Sequence, residues 1–155
     1  MRYMIDTNII LDVFLDQEPF STSSKQILSL CESKKIHGFI SASSATDIFY
    51  IVRKRLGNPD KAYEALGHVL NIVKVLTVTN DDINTAFLKK AKDFEDCLLA
   101  TCARSNKCVA IVTRNKEDFQ DFGIDLYSPE ELLAVMSQEK KHPTQGNKPF
   151  NSQKG

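Results

Sequence analysis

Arg2-Tyr3-Met4-Ile5-Asp6-Thr7-Asn8-Ile9-Ile10-Leu11-Asp12-Val13-Phe14, near the start of the chain, reads as a strand followed at once by a helix. Arg2 to Ile5 reads as a short buried strand, with Tyr3-Met4-Ile5 its apolar run. Thr7 or Asn8 can cap a helix whose apolar positions Ile9, Ile10, Val13 and Phe14 recur with a period near 3.6. Asp6 therefore stands at the carboxyl end of a buried strand, where ligands bind in open α/β sheets. Aspartate is also a leading N-cap residue, so position alone leaves both roles open.

The same alternation continues outward. Pro19 and the Ser21–Ser24 cluster start a helix through Ile27, Leu30 and Cys31, and Gly38-Phe39-Ile40 is a second strand. Ser43 or Ser44 is expected to cap a helix from Ala45 to Leu56 that Gly57 ends. Asn58-Pro59 opens another with Ala62, Leu66, Val69, Leu70 and Val73 on one stripe. Val75 to Thr79 is a third strand, Asn80-Asp81-Asp82 starts a helix, and Asp93 to Ser105 is a helix with Leu98, Leu99, Cys102 and Ala103 inward. Val109 to Val112 and Asp125 to Tyr127 supply a fourth and a short fifth strand, and Pro129 begins a last helix through Leu132, Leu133 and Met136. Short strands alternating with helices imply an α/β fold: a central, mainly parallel sheet of four or five strands in a three-layer α/β/α arrangement.

At 155 residues, 42% hydrophobic and 26% charged, the chain suits one globular domain, expected over 1–137. The polar stretch 138–155 reads as a disordered tail. Cys31, Cys97, Cys102 and Cys108 form no CxxC pair and have no histidine at zinc-ligand spacing, and the first three sit in apolar-periodic stretches. They read as small buried hydrophobes in a reducing compartment. No signal core or membrane span is seen, so the expected location is the cytoplasm. Formal net charge is zero, which excludes the global attraction to a polyanion that a strongly basic chain has. The runs Lys34-Lys35, Arg53-Lys54-Arg55 and Lys89-Lys90 could meet phosphates locally or simply form solvated helix faces.

The acids are placed suggestively. Asp118 lies just past the fourth strand, at the same sheet edge as Asp6. Asp47, three residues after Ser44, fits a capping box. Asp93 and Asp96, spaced i, i+3, share a helix face from which Glu95 is expected to point away, and all three suit a helix N-terminus. Each has a bland explanation, but together they would make a self-repelling cluster that stays ionised only beside a cation. Oxygen ligands without His or Cys suit Mg2+ or Mn2+, which activate water and stabilise charge on a phosphodiester. The chain has no Gly-x-Gly-x-x-Gly, Walker loop, Gly-x-Ser-x-Gly elbow or His-Glu-x-x-His, and His37, His68 and His142 adjoin none of the acids.

Four segments, M-x-x-x-I-D-T-N-I-I-L-D, I-S-A-S-S-A-T-D-I-F-Y-I-V-R-K, D-F-E-D-C-L-L-A and I-V-T-R-N-K-E-D-F, stand in an order and spacing that resemble the PIN domain family, in particular its VapC-like toxin ribonucleases. The resemblance spans about residues 1 to 136. It implies a metal-dependent endoribonuclease, the toxin of a toxin–antitoxin pair, with catalytic Asp6, Asp47, Asp96 and Asp118. Of these, Asp6, Asp96 and Asp118 would hold Mg2+ or Mn2+. Asn8, Thr113 and Asn115 match polar accessory positions, with Asp93 and Glu95 as supporting acids. Many relatives carry glutamate where this chain has the shorter Asp47, which leaves a rival expectation of a catalytically weak or inactive module that binds RNA or a protein. The implied partners are RNA, an antitoxin and a second copy of the chain, with no membrane. The helix bearing Phe49, Tyr50 and Val52 is one contact surface to consider. A further rival, in which Asp6 is a phosphorylated nucleophile, is disfavoured because no second carboxylate stands two residues on.

Overall fold

The computed structural model describes residues 1–141, with side chains to 138. Strands β1 (Arg2–Ile5), β2 (His37–Ser41), β3 (Lys74–Leu76), β4 (Ala110–Val112) and β5 (Asp125–Tyr127) form one sheet in the order β3-β2-β1-β4-β5. Every pairing is parallel. The helices are α1 (Thr7–Phe14), α2 (Ser21–Glu32), α3 (Ala42–Leu56), α4 (Pro59–Ile72), α5 (Asn80–Lys89), α6 (Phe94–Ser105) and α7 (Pro129–Lys141). A 3-10 segment, η1 (Lys116–Phe122), lies between β4 and β5. The polar stretch expected from 138 onward lies beyond Lys141 outside the described residues, and α7 runs into its beginning.

Alternation along the strands builds two cores. Tyr3, Ile5, Ile40, Ala110 and Val112 face one side, against Ile9, Ile10, Ile27, Val52, Val69 and Leu132 of α1–α4 and α7. Met4, Phe39 and Ile111 face the other, against Ala86, Leu98, Leu99 and Cys102 of α5 and α6. This is the period-two pattern of a sheet covered on both faces. Each fully buried isoleucine, such as Ile5 or Ile48, contributes about 1.5–3 kcal/mol of transfer energy. Gly38 is required by close packing, since a Cβ there would stand 2.5 Å from Cys31 Sγ and 3.0 Å from Val73 Cγ1. All four cysteines are free and buried.

Several boundaries move. The cap of α3 is Ser41, whose Oγ accepts from the Ser44 amide at 3.1 Å, so the helix starts earlier than a Ser43 or Ser44 cap would allow. Asp47 consequently sits in the second turn and caps nothing. The inward face of α4 is Ala62, Ala65 and Val69, while Leu70 is 48% exposed, because the helix packs along its small residues. β3 is shorter than expected, since Thr79 leaves the strand to form a reciprocal capping box with Asp82. On α3, Ser44, Ile48 and Val52 are buried while Tyr50 is exposed, so the helix gives one stripe to the core and leaves Tyr50 on its outer face.

The strand order fixes where a site can form. The chain runs from β1 outward to β3, then returns to build β4 and β5 on the other side of β1. The order reverses between β1 and β4, and the carboxyl edge at such a switch point is left open between diverging crossovers.

Candidate active site

Ile5 pairs with Val112 in the parallel register, so Asp6 and Thr113, each one residue further, are neighbours at the switch point. The Asp6 amide donates to Val112 O at 3.0 Å, and Thr113 Oγ1 donates to Asp6 Oδ2 at 2.7 Å. Thr113 is fully buried and Asp6 is 9% exposed. Asp6 occupies the N-cap position of α1 but makes no capping hydrogen bond, although the amides of Thr7 and Asn8 stabilise its charge. Its carboxylate thus meets Thr113 at the sheet edge as well as the first amides of α1. Burial raises its pKa above the ordinary value, opposed by the Thr113 hydroxyl, the two amides and, more weakly, Arg114.

The third motif supplies the facing wall. Asp93 caps α6, its Oδ1 accepting from the Asp96 amide at 3.1 Å, so the capping reading of this residue holds. Asp96 is pushed up to about 7 by burial, then by repulsion from Asp93, Asp6, Asp118 and Glu95. Glu95 does not point away, as the helical spacing suggested. Burial of its carboxyl raises its pKa, followed by the charge of Asp47, hydrogen bonding with Asp47, and the charges of Asp93 and Asp6. Distance along one helix could not reveal this, because Asp47 belongs to α3. Asp118 lies exposed in η1, its amide bonded to Asn115 O at 3.1 Å, and the Asn115 amide donates to Thr113 Oγ1 at 3.0 Å. Thr113 therefore links Asp6 to the turn that carries Asp118.

The structure brings Asp6, Asp47, Asp93, Glu95, Asp96 and Asp118 into one electrostatic group, and none of them has an ion-pair partner among the described residues. Among those residues no three His, Cys, Asp or Glu side chains are drawn together as a ready-made metal shell. The donor set nevertheless fits a hard divalent cation. Its acids destabilise one another's charge, and Asn8 Oδ1 is a buried oxygen without a hydrogen-bond partner two residues from Asp6. Mg2+ is commonly held by only one or two carboxylates and retained waters, so three converging oxygens are not required.

The raised Asp96 group gives a pH signature. An Asp whose folded pKa lies above its unfolded value stabilises the fold fully below the unfolded pKa and loses that contribution as pH rises through the folded one. In EDTA, thermal stability should therefore decline between the ordinary 3.8 and about 7. Asp96→Asn should leave the melting temperature at pH 3 unchanged and raise it at pH 8 by about 3–6 °C, after discounting for the solvent screening of a partly exposed group. Equal melting curves at pH 8 would mean that the acids do not repel.

Sequence reasoning missed a second polar group behind this wall. Asp12 is fully buried on α1, accepts from Ser24 Oγ at 3.1 Å, and lies 3.4 Å from Arg114 Nη2. The ion pair is a charge contact without good hydrogen-bond geometry, since Asp12 Oδ1 and Arg114 Nε remain without hydrogen-bond partners. The Arg114 guanidinium also sits 4.4 Å from the Phe20 ring centroid. The available signal was a charged residue inside the apolar run Ile9 to Phe14, which demands a buried partner.

A family model described as "PIN domain" matches residues 2–117. Among curated proteins, "Ribonuclease VapC1" of Aquifex aeolicus is 24% identical over 136 residues, spanning 84% of this chain and 92% of that protein. Among solved structures, VapBC2 from Rickettsia felis, bound to a promoter DNA fragment, superposes with a TM-score of 0.63 at 18% identity over 83% of this chain and 98% of that one. A toxin–antitoxin complex from Klebsiella pneumoniae gives 0.61 at 19% identity, with 82% and 97% covered. Mycobacterium tuberculosis VapC20, described as a sarcin–ricin loop cleaving toxin, gives 0.64 at 19% identity, with 79% and 95% covered. These three likenesses concern the fold.

Proposed function

The chain belongs to the PIN domain family, and from that premise we propose that it is a metal-dependent endoribonuclease acting as the toxin of a toxin–antitoxin pair. The observation that carries the reading is the gathering of unpaired carboxylates at the β1/β4 switch point, around a buried Asp6 held by Thr113. Asp6 and Asp96, with Asp118 across the cleft, would hold Mg2+ or Mn2+, and Asn8 offers an oxygen beside them. When bound, the ion lowers the pKa of a water and stabilises charge on the phosphodiester.

The chain's own residues set the geometry. Thr113 fixes the Asp6 carboxylate in one orientation and, through the Asn115 amide, ties it to the turn bearing Asp118. The N-termini of α1 and α6 direct their positive ends toward the same edge, which moderates repulsion within the cluster and favours an approaching phosphate. Asp47 and Glu95 crowd negative charge together on the α3 side, where burial and then the charge of Asp47 raise the pKa of Glu95. Its neighbour Asp47 is the shorter acid, one methylene further from the cleft than a glutamate would be.

Two of the similar structures are toxin–antitoxin complexes, which supports an antitoxin as partner. No described helix is long and apolar enough to cross a membrane. The test is incubation of the purified chain with mixed RNAs in Mg2+ or Mn2+. Cleavage that EDTA abolishes is expected, and cleavage indifferent to EDTA would reject the mechanism. The second reading, an inactive binding module, rests on the shorter Asp47 at the second motif. Calorimetric titration separates the two, since the enzyme requires metal binding that weakens in Asp96→Asn.

A further inference from the structure

The carboxyl edge of the sheet carries the acids, and the opposite edge carries cations. Parallel pairing sets the starts of β1, β2 and β3 side by side, with Arg2 opposite His37 and Phe39 opposite Lys74. Residues two apart on a strand share a face, so Arg2, His37, Phe39 and Lys74 lie on one side of the sheet. Together with Lys34 they line a cleft of about 670 Å³. Arg2 is fixed there, since its Nε donates to Asn106 O at 3.2 Å and its guanidinium lies 4.1 Å from the Phe39 ring centroid. The ion pairs among the described residues are Lys25–Asp16, His68–Glu64, Arg114–Asp12 and Lys116–Glu131, so Arg2, Lys34, His37 and Lys74 have no ion-pair partner among them.

Two features could account for these cations without a ligand. Glu32 lines the same cleft, and α2 and α4 end beside it at Glu32 and Ile72, each carboxyl terminus carrying about half a negative charge. Those contributions amount to about two negative charges against the three positive ones of Arg2, Lys34 and Lys74, so positive charge is left over before His37 is protonated. The cleft is also partly apolar, because Leu70, 48% exposed, and half-buried Ile72 stand in its wall. Sites for small organic ligands combine apolar walls with a few polar groups and enclose about 300–1,000 Å³.

We propose that this cleft binds a nucleoside monophosphate, its phosphate held by Arg2, His37 and Lys74 and its base laid along Leu70 and Ile72. A phosphate monoester offers three acceptor oxygens and close to two negative charges. That group suits a guanidinium fork, an ammonium and an imidazole set on one face of adjacent strands. An inorganic anion would use the cations alone and a nucleoside the apolar wall alone, whereas a nucleotide uses both. The acids lie at the other end of the same strands, past Ile5 and Val112. Occupancy of the cleft is therefore independent of whether the chain cuts RNA.

The experiment is isothermal titration calorimetry of the full chain in EDTA with AMP, adenosine and inorganic phosphate. AMP is expected to bind one to one, with adenosine and inorganic phosphate each about tenfold weaker or more, since each forgoes one set of contacts. Lys74→Gln changes an exposed side chain and should weaken AMP binding about tenfold. Arg2→Lys keeps the charge but loses the planar fork, and should weaken it several-fold. Lys89→Gln/Lys92→Gln, in the separate cleft that Asp118 lines, should leave AMP affinity as in the wild type. AMP affinity unchanged by Lys74→Gln, or lost in the Lys89/Lys92 variant, would place the nucleotide elsewhere and overturn the proposal. Inorganic phosphate binding as tightly as AMP would leave the apolar wall without a role and overturn it too. If a 15-mer RNA binds and is weakened by Lys74→Gln while AMP does not bind, the edge is an RNA contact and the proposal fails.

Discussion

Asp6→Asn should lower RNA cleavage by about 10²–10³-fold, the range for removing one preorganised electrostatic group, while leaving the chain folded and, in EDTA, more stable than the wild type. The substitution keeps shape and an acceptor oxygen, so Thr113 Oγ1 can still donate where it now reaches Asp6 Oδ2 at 2.7 Å. What it removes is a charge that is 9% exposed and whose pKa burial has raised. By the linkage sign, a carboxyl raised in this way weakens the fold as pH climbs past its unfolded value of 3.8. The gain in stability of the variant should therefore be absent at pH 3 and present at pH 8. Single-turnover cleavage in saturating Mg2+ or Mn2+ reads the first effect, and melting curves in EDTA read the second. Loss of cleavage with an unaltered melting temperature at both pH values would mean that Asp6 is not electrostatically strained. Cleavage within twofold of the wild type would remove it from the reaction.

Asp6 was legible because the apolar run Tyr3-Met4-Ile5 fixes where β1 ends, and Asp118 because Val109 to Val112 does the same for β4. Parallel pairing of two such strands makes the residues after them neighbours, which is why the Asp6–Thr113 contact follows from sequence once the order β1–β4 is known. Helical periodicity was a poorer guide wherever two helices meet. It placed Glu95 on the wrong side, since only the packing of α3 and α6 around the sheet edge reveals Asp47 opposite. Capping preferences pointed to Ser43 or Ser44 and passed over Ser41, whose hydroxyl lies 2.9 Å from each of theirs in the folded chain. Asp47 read as part of a capping box only while the cap was set three residues late.

The buried Asp12–Arg114 pair yields the largest stability effect. Arg114→Met keeps much of the aliphatic bulk against Phe20 but removes the cation from a carboxylate that is fully buried and has Ser24 Oγ as its hydrogen-bond donor. Deleting one member of such a pair costs about 3–5 kcal/mol when the survivor stays charged. Asp12 has an escape, because its pKa is already raised by burial and is restrained by Arg114 and Ser24. Without Arg114 it climbs further, and the folded state takes up a proton instead of holding a bare charge. The cost of the substitution must then grow with pH from the unfolded value of 3.8 to the new folded pKa and level off above it. Urea midpoints should show a loss of about 1 kcal/mol at pH 5 and about 3 kcal/mol at pH 8. Adding Asp12→Asn to Arg114→Met should recover most of the loss at pH 8 and little at pH 5. A loss equal at the two pH values, unrelieved by the second substitution, would show that Arg114 contributes through its packing on Phe20, with its charge irrelevant to the turn that carries Asn115 and Asp118.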